Sequence, residues 1–440
     1  MMSYEGAQWE AGLEVLRILG RQGSEAYFVG GCVRDALLGI EASDIDIATS
    51  AAPGEVLQMF PDALPTGLKH GTVTVRRSGF FFEVTTFRQE AGYSDGRRPD
   101  DVFFVQNVRE DLARRDFTIN AMAAGPDGAI VDPFGGMDDL RACRLRAVGD
   151  PAQRFDEDAL RIVRCVRFAA RYRLAIDEST WRGVLACRDK LPLVAMERIG
   201  AELDKMVAGS DPGRAFALLL AASLPERFKL PLPEAWLARL RQIEGTAEGE
   251  AGVIQAAGLA YKSSLARYLP KDVDGDLRWT ALFLAGEASP EAAEEAMRRL
   301  HFAGKRSKRI VDILRLHLGL SISSVSELWR RNWTLGVLDR GTEAAADWHE
   351  LFGTEDVRLA LGVPGELHSV VPEWTAALPA VRAADLALRG DELAAAAGIA
   401  RGPWIAIALR DLLERVALGE LHNDAETLRN AYLRSLRDHE

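Results

Sequence analysis

The chain has 440 residues, 48% of them hydrophobic, enough to bury a large core and too many for one ordinary domain, so two to four domains are expected. Its 54 Lys and Arg against 65 Asp and Glu leave a formal net charge of -11, which excludes broad, non-specific affinity for nucleic acid; a nucleic-acid partner would need a local basic face. Cys32, Cys143, Cys165 and Cys187 lie far apart with no C-x-x-C pair, so neither a zinc site nor a disulfide framework is expected. Reduced thiols in a cytoplasmic protein are.

The first segment, "MMSYEGAQWEAGLEVLRILGRQG", carries Glu5, Glu10 and Glu14 and has neither a basic start nor a continuous apolar run. It predicts an amphipathic helix rather than a signal peptide. Five short runs follow: "AYFVGG", "DIDIAT", "GTVTVRR", "FFFEVTTF" and "AIVDPF". They are rich in β-branched and aromatic residues, are bounded by Gly, Pro, Asp or Ser, and predict strands in an α/β first third. From about Asp156 the leucines and alanines take helical spacing, as in "DALRIVRCVRFAARYRL" and "AFALLLAASL", and the remainder is expected to be nearly all helix. Breaks around Pro231, Gly249 and Pro364 can be boundaries or loops. No stretch reaches transmembrane length, so no membrane partner is expected.

Asp44 and Asp46 flank Ile45, so on a strand of period two both carboxylates point to one face. Like charges so placed repel unless a cation lies between them, and Mg²⁺ is bound by one or two carboxylates plus phosphate oxygens and water. An exposed edge strand with solvated aspartates is the alternative. Upstream, Gly30 and Gly31 follow an apolar strand and precede the short helix "VRDALLG", so backbone N–H groups can face an anion with no Cβ in the way. Arg34, in the first turn, can add a charge-assisted contact to phosphate. Neither G-x-x-x-x-G-K-[ST] nor G-x-G-x-x-G is present here, which removes P-loop ATPase and dinucleotide binding as easy readings.

This block resembles the head motif of class II nucleotidyltransferases, the group containing bacterial tRNA CCA-adding enzymes and poly(A) polymerases. The resemblance continues along most of the chain. "RRDFTINAMA" (114–123) is similar to the family's sugar and triphosphate motif, "DPFGGMDDL" (132–140) to the motif joining head and neck, and "EDALR" (157–161) to its base-selecting motif. "MERIGAELDKM" (196–206) resembles the following neck segment, and "RGPWIAIALRDLLERVALGEL" (401–421) the C-terminal tail. The implied fold class is α+β: an N-terminal nucleotidyltransferase head with a small mixed β-sheet over 1–150, then all-α neck (151–225), body (226–340) and tail (341–440).

The implied reaction is attack of an RNA 3′-hydroxyl on the α-phosphate of ATP or CTP, building or repairing the 3′-terminal C-C-A of tRNA. Two Mg²⁺ ions would be held by Asp44 and Asp46. Glu83, charged within an apolar strand, is the candidate third carboxylate; pairing with Arg88 or facing solvent is the alternative. Arg115 is implied to contact the triphosphate. Asp116 and Asn120, at i and i+4 if helical, would share a face near the ribose, and helix capping is the other role open to Asp116.

Glu157, Asp158 and Arg161 stand in the base-selecting segment. On a helix, Asp158 and Arg161 lie at i and i+3 on one face, an acceptor beside a donor. Cytosine and adenine each show an amino donor next to a ring-nitrogen acceptor and fit this pair; uracil and guanine leave both partners unsatisfied. The plain alternative is a surface ion pair. Arg164 and Arg167 continue the three-residue spacing toward triphosphate or base, as the family implies, or are solvated.

"RQEAGYSDGRRPDDV" (88–102), with Gly92, Gly96 and Pro99, predicts a mobile loop. Enzymes of the family that add only the two cytidines typically lack this loop, so its presence favours adenosine addition as well. For the RNA, "MRRLHFAGKRSKRIVDILR" clusters Lys305, Arg306, Lys308 and Arg309, which can grip phosphates or form a solvated helix face. Trp404 marks either a tail contact or a buried tryptophan. Rival readings are an A-adding enzyme or poly(A) polymerase, a small-molecule nucleotidyltransferase, and a non-catalytic RNA-binding relative. No H-x-x-x-H or His-Asp pair of the metal phosphohydrolase type is present, so no phosphatase activity is expected. The sequence leaves monomer or homodimer open.

Overall fold

The β-branched and aromatic runs of the first third pair into one sheet; Thr72–Arg77 and Phe80–Thr86 alternate buried with more open side chains, while Ala26–Val29 and Asp46–Thr49 are buried almost throughout. In this computed structural model, which describes residues 2–42, 44–91, 101–245, 257–320 and 327–437, the strands are β1 (Ala26–Val29), β2 (Asp46–Thr49), β3 (Leu64–Gly67), β4 (Thr72–Arg77) and β5 (Phe80–Thr86). The short β8 (Ala123–Ala124) and β9 (Ile130–Val131) complete the order β3-β4-β5-β2-β1-β8-β9. The sheet is mixed: β1 runs antiparallel to β2 and β8, while β2 runs parallel to β5. Phe28, Ile47, Phe82 and Val84 are buried in it. The predicted first helix, α1 (Ala7–Arg21), buries Ala11, Val15, Leu16 and Leu19, one stripe at helical spacing.

Residues 88–102 differ from the expected loop at both ends. β6 (Arg88–Ala91) pairs antiparallel with β7 (Asp101–Phe104), because backbone pairing, together with a Gln89–Glu110 hydrogen bond of 2.7 Å, offsets a polar sequence. Gly92, Gly96 and Pro99 lie outside the described residues.

Short helices α2 (Gly31–Leu37), α3 (Pro53–Met59), α4 (Val108–Ala113) and α5 (Gly136–Arg141) connect these strands. The Asp132 carboxylate accepts from the Gly136 and Met137 amides at 2.8 and 2.9 Å and starts α5. Glycine is required at 136, since a Cβ there would collide with the Thr118 carbonyl oxygen. The fully buried Asp139 accepts from Thr118 Oγ1 at 2.6 Å, Arg144 Nε at 2.6 Å and Arg146 Nε at 3.0 Å. It thereby joins the turn before β8 to β10 (Arg144–Leu145), which pairs with β11 (Ala175–Ile176). Asp139→Ala strands the buried Thr118 hydroxyl, while solvent reaches Arg144 and Arg146, and should lower stability by about 1–2 kcal/mol, read from the urea-unfolding midpoint.

Beyond β10 the leucine and alanine spacing becomes helix: α6 (Pro151–Glu157), α7 (Leu160–Arg171), α8 (Glu178–Cys187), α9 (Met196–Val207) and α10 (Pro212–Ala221). Sheet and helices α1 to α10 form one compact unit, Met1–Leu232 with Thr246–Ser263.

The second unit comprises Pro233–Gly245 and Ser264–Glu440. Among its described residues there is no strand. Trp236, Trp279, Trp333 and Trp348 are buried, and Trp236 Nε1 donates to the Leu282 carbonyl at 3.0 Å. Toward the C-terminus Leu388, Leu393, Leu412, Val416 and Leu428 form a further cluster. Trp404 packs at its edge, stacked on Tyr432 with ring centroids 5.7 Å apart.

Candidate active site

The C-terminal end of β1 turns through Gly30, whose φ of 75° belongs to the left-handed region and whose Cβ, were there one, would collide with the Arg115 guanidinium. Only glycine lets Arg115 lie against this turn. Of the expected cradle, Gly31 opens α2 and lines the cleft, whereas the Gly30 N–H donates to the Met122 carbonyl at 3.2 Å and Arg34 is not a free phosphate ligand. Its Nε donates to Asp35 Oδ1 at 2.9 Å, its Nη1 bonds Asn120 Oδ1, and its Nη2 donates to the Tyr172 hydroxyl at 2.5 Å.

Asp44 lies two residues before Asp46, which begins β2. Ile45 between them is 2% exposed while both aspartates are open, so the predicted alternation puts the two carboxylates on one face. Ile47 pairs with Val84, which sets Glu83 beside Asp46, although Glu83 does not line the cleft. Asp46 is open on its cleft side, but the protein around the rest of the carboxylate, with the charges of Glu83 and Asp44 adding and Arg115 opposing, pushes its pKa up to about 6. Among the described residues no three His, Cys, Asp or Glu side chains converge to hold a metal by themselves. A pair of hard carboxylate oxygens crowded to this degree fits Mg²⁺ that also draws on phosphate oxygens and water.

Asp116 and Asn120 meet, though not on a helix. α4 stops at Ala113, and residues 118–120 form a 3-10 turn that follows Asp116. Asp116 Oδ1 accepts from the Phe117 amide and from Asn120 Nδ2, both at 2.9 Å, and Oδ2 accepts from Arg164 at 2.6 and 2.8 Å. Burial alone would raise the Asp116 pKa, but Arg164 and Asn120 outweigh it and hold the carboxyl below the usual carboxylate range. Asp116 therefore both organises its own turn and ties it to α7.

The expected helical pairing of Asp158 with Arg161 is corrected by the structure. α6 ends at Glu157 and α7 starts at Leu160, leaving Asp158 extended at φ −147°. Its carboxylate caps the Leu160 amide at 3.0 Å and takes Arg198 at 2.8 and 3.3 Å. Arg161 instead bonds Glu157 at 2.6 Å and the carbonyls of Arg154 and Arg114 at 3.0 and 3.2 Å. Arg167 is held by the buried Glu202 at 2.5 Å.

Asp158 and Arg161 still face one cleft of about 510 Å³, together with Gly31, Asp44, Asp46, Arg115, Asp116, Asn120, Arg164 and Arg167. Eight arginines and five aspartates line it, a local positive excess in an acidic chain. The sequence reading missed Asp35, Arg114, Phe168, Arg171, Tyr172 and Arg198 as lining residues. Arg198 stands in the quoted "MERIGAELDKM", where its position was the available signal.

In the second unit the proposed RNA cluster lies on the helix Gly304–Gly319. Arg306 pairs with Asp276 at 2.6 Å, Lys308 with Asp312, and Arg309 with Asp347 and Asp274 at 2.7 and 2.6 Å. Lys305 is exposed. Acidic neighbours thus offset three of the four cations.

Paired aspartates at the mouth of a mixed sheet, facing an arginine-lined helix across a polar cleft, define a nucleotidyltransferase, and residues 26–146 match the Poly A polymerase head domain. Residues 274–431 match tRNA nucleotidyltransferase domain 2, and residues 173–237 match an RNA and SrmB-binding site of polymerase A. A CCA-adding enzyme of Limosilactobacillus fermentum is 36% identical over 97% of this chain and 96% of its own. That of Geobacillus kaustophilus is 35% identical over 98% of each. The crystal structure of the Bacillus stearothermophilus CCA-adding enzyme in complex with CTP superposes with a TM-score of 0.77 at 30% identity, covering 99% of both chains. The chain belongs to the family of CCA-adding enzymes.

Proposed function

We propose that this protein adds and repairs the 3′-terminal C-C-A of tRNA from CTP and ATP, without a nucleic-acid template, with two Mg²⁺ ions at Asp44 and Asp46. The observation that carries the reading is a single cleft holding the aspartate pair, an arginine-rich wall, and Asp158 with Arg161. When bound, the ions would stabilise the attacking and leaving oxygens. Arg115 Nε is buried without a hydrogen-bond partner and is the group we assign to the triphosphate. Asp116 and Asn120 border the ribose, and Glu157 with Arg154 braces Arg161 from behind. Asp158 accepts the base amino group and Arg161 donates to the neighbouring ring nitrogen. Arg164 and Arg167 carry positive charge along the same wall, and Glu83 supports the metal pair electrostatically.

The division into head, neck, body and tail is part of the same reading, as is RNA contact at Lys305 and its neighbours. Among the described residues no helix is long and apolar enough to cross a membrane. Cytoplasmic placement is proposed from the reaction and from four free cysteines, three of them buried.

The test is incubation with tRNA lacking C-C-A, and with tRNA ending in C-C, supplied with CTP, ATP or both. Three ordered additions are expected; growth only from the C-C end would mean an A-adding enzyme, and long A tracts on unrelated RNA a poly(A) polymerase. Mg²⁺ binding should also depend on pH. Asp46 is ionised and ready to bind above about 6 and protonated below it, so affinity measured by calorimetry should fall about tenfold per pH unit under that value.

A further inference from the structure

We propose that Tyr172 is a positioning residue whose hydroxyl fixes the base-reading helix α7 to α2, and so sets where Asp158 and Arg161 meet the base relative to the aspartate pair. The proposal rests on the functional reading above and concerns a residue outside every motif quoted for it.

Tyr172 caps the C-terminal end of α7. Its hydroxyl accepts from Arg34 Nη2 at 2.5 Å and donates to Asp35 Oδ1 at 2.9 Å, while Arg34 Nε bonds the same carboxylate oxygen at 2.9 Å. Three groups therefore close a ring between α2 and α7. The aromatic ring adds a second layer: the Arg34 guanidinium lies 4.4 Å over the Tyr172 centroid, and Tyr172 stacks on Phe168 at 6.1 Å. Burial raises the Tyr172 pKa, with Asp35 adding and Arg34 opposing, so the hydroxyl keeps the proton it gives to Asp35.

The first half of α7 is tied back to the same Arg34 by a second route. Arg164 holds Asp116, Asp116 holds Asn120 at 2.9 Å, and Asn120 bonds Arg34. The path runs from Arg34 through Asn120, Asp116 and Arg164 along α7 to Tyr172 and back to Arg34. Arg164 and Tyr172 are eight residues apart, about 12 Å of helix. α7 is buried along almost its whole length and packs on α9 and α10, which sets its axis; two polar ties at this separation fix the finer rotation that aims Arg161, one turn beyond the first of them.

Tyr172→Phe keeps the ring and removes only the hydroxyl. Under the proposal, kcat/KM for CTP falls about tenfold and preference for CTP over UTP drops about fivefold, with the melting midpoint nearly unchanged. Adding Asp35→Ala, which removes the acceptor of the Tyr172 hydroxyl, completes a cycle: the two changes together should cost less than the sum of the two alone, because each deletes the same hydrogen bond. A folded Tyr172→Phe protein with native kinetics and discrimination overturns the proposal, as do effects that add across the cycle. A variant that loses its cooperative melt also overturns it, since the hydroxyl then serves the fold. Failure of the native chain to add C or A would instead overturn the functional reading, and shows in its own reaction.

Discussion

An Asp46→Asn protein is expected to incorporate nucleotide about a thousandfold more slowly, or worse, while its metal-free form melts higher than the native chain at neutral pH. Both effects come from the same crowding. Packed protein, then Glu83 and Asp44, push the Asp46 pKa up to about 6 against the pull of Arg115. An unfolded aspartate titrates near 3.9. The folded group therefore binds its proton more tightly, and the stability this contributes is fully present below about pH 4 and lost as pH rises through about 6. Asparagine never ionises and escapes that loss. Its advantage should appear at pH 7, vanish at pH 4, and reverse when Mg²⁺ is added, since only the native carboxylate gains from the ion. Thermal melts at the two pH values with and without Mg²⁺, alongside the tRNA incorporation assay, check both halves. Equal metal-free melts at pH 7 would rule out the crowding at Asp46, and near-native incorporation by the variant would remove Asp46 from the metal pair.

The parts of the fold and site that were legible in the sequence are those set by local spacing. Asp44, Ile45 and Asp46 run open, buried, open, as the period-two spacing implied, although β2 begins only at Asp46. The change to helical spacing near Asp156 marks α6 and α7. What was not legible depends on partners far along the chain. Asp158 leaves the helix because Arg198, forty residues on, takes its carboxylate while its own side chain caps α7. The cations of 305–309 were plain, but the aspartates that offset two of them, Arg306 and Arg309, come from 274, 276 and 347 on other segments. The ends of 88–102 looked like loop because their side chains are polar, whereas the pairing is made by backbone groups that spacing does not reveal.

Asp158→Asn and Arg161→Ala should each reduce the preference for CTP over UTP by about a hundredfold, with Mg²⁺ affinity unchanged. The reason survives the correction to their geometry. Asp158 and Arg161 do not pair with each other, so neither has its base-facing capacity consumed by the other, and each is aimed by a separate brace. Arg198 and the Leu160 amide hold the Asp158 carboxylate; Glu157 and two backbone carbonyls hold the Arg161 guanidinium. On the proposed function, a base between them would meet a fixed acceptor beside a fixed donor. Cytosine satisfies both, while uracil presents a carbonyl to the carboxylate and an N–H to the guanidinium, leaving four polar groups unpaired. Asparagine at 158 can turn its amide to donate, so the penalty against uracil falls without any loss at the aspartate pair. Alanine at 161 removes the clashing donor, and Glu157 keeps its 2.9 Å bond to Arg154, so the local fold should survive. Single-turnover incorporation of CTP and UTP measures the ratio. A variant that slows both nucleotides equally would show that these residues only shape the cleft, and the choice of base would then have to lie elsewhere on its arginine wall.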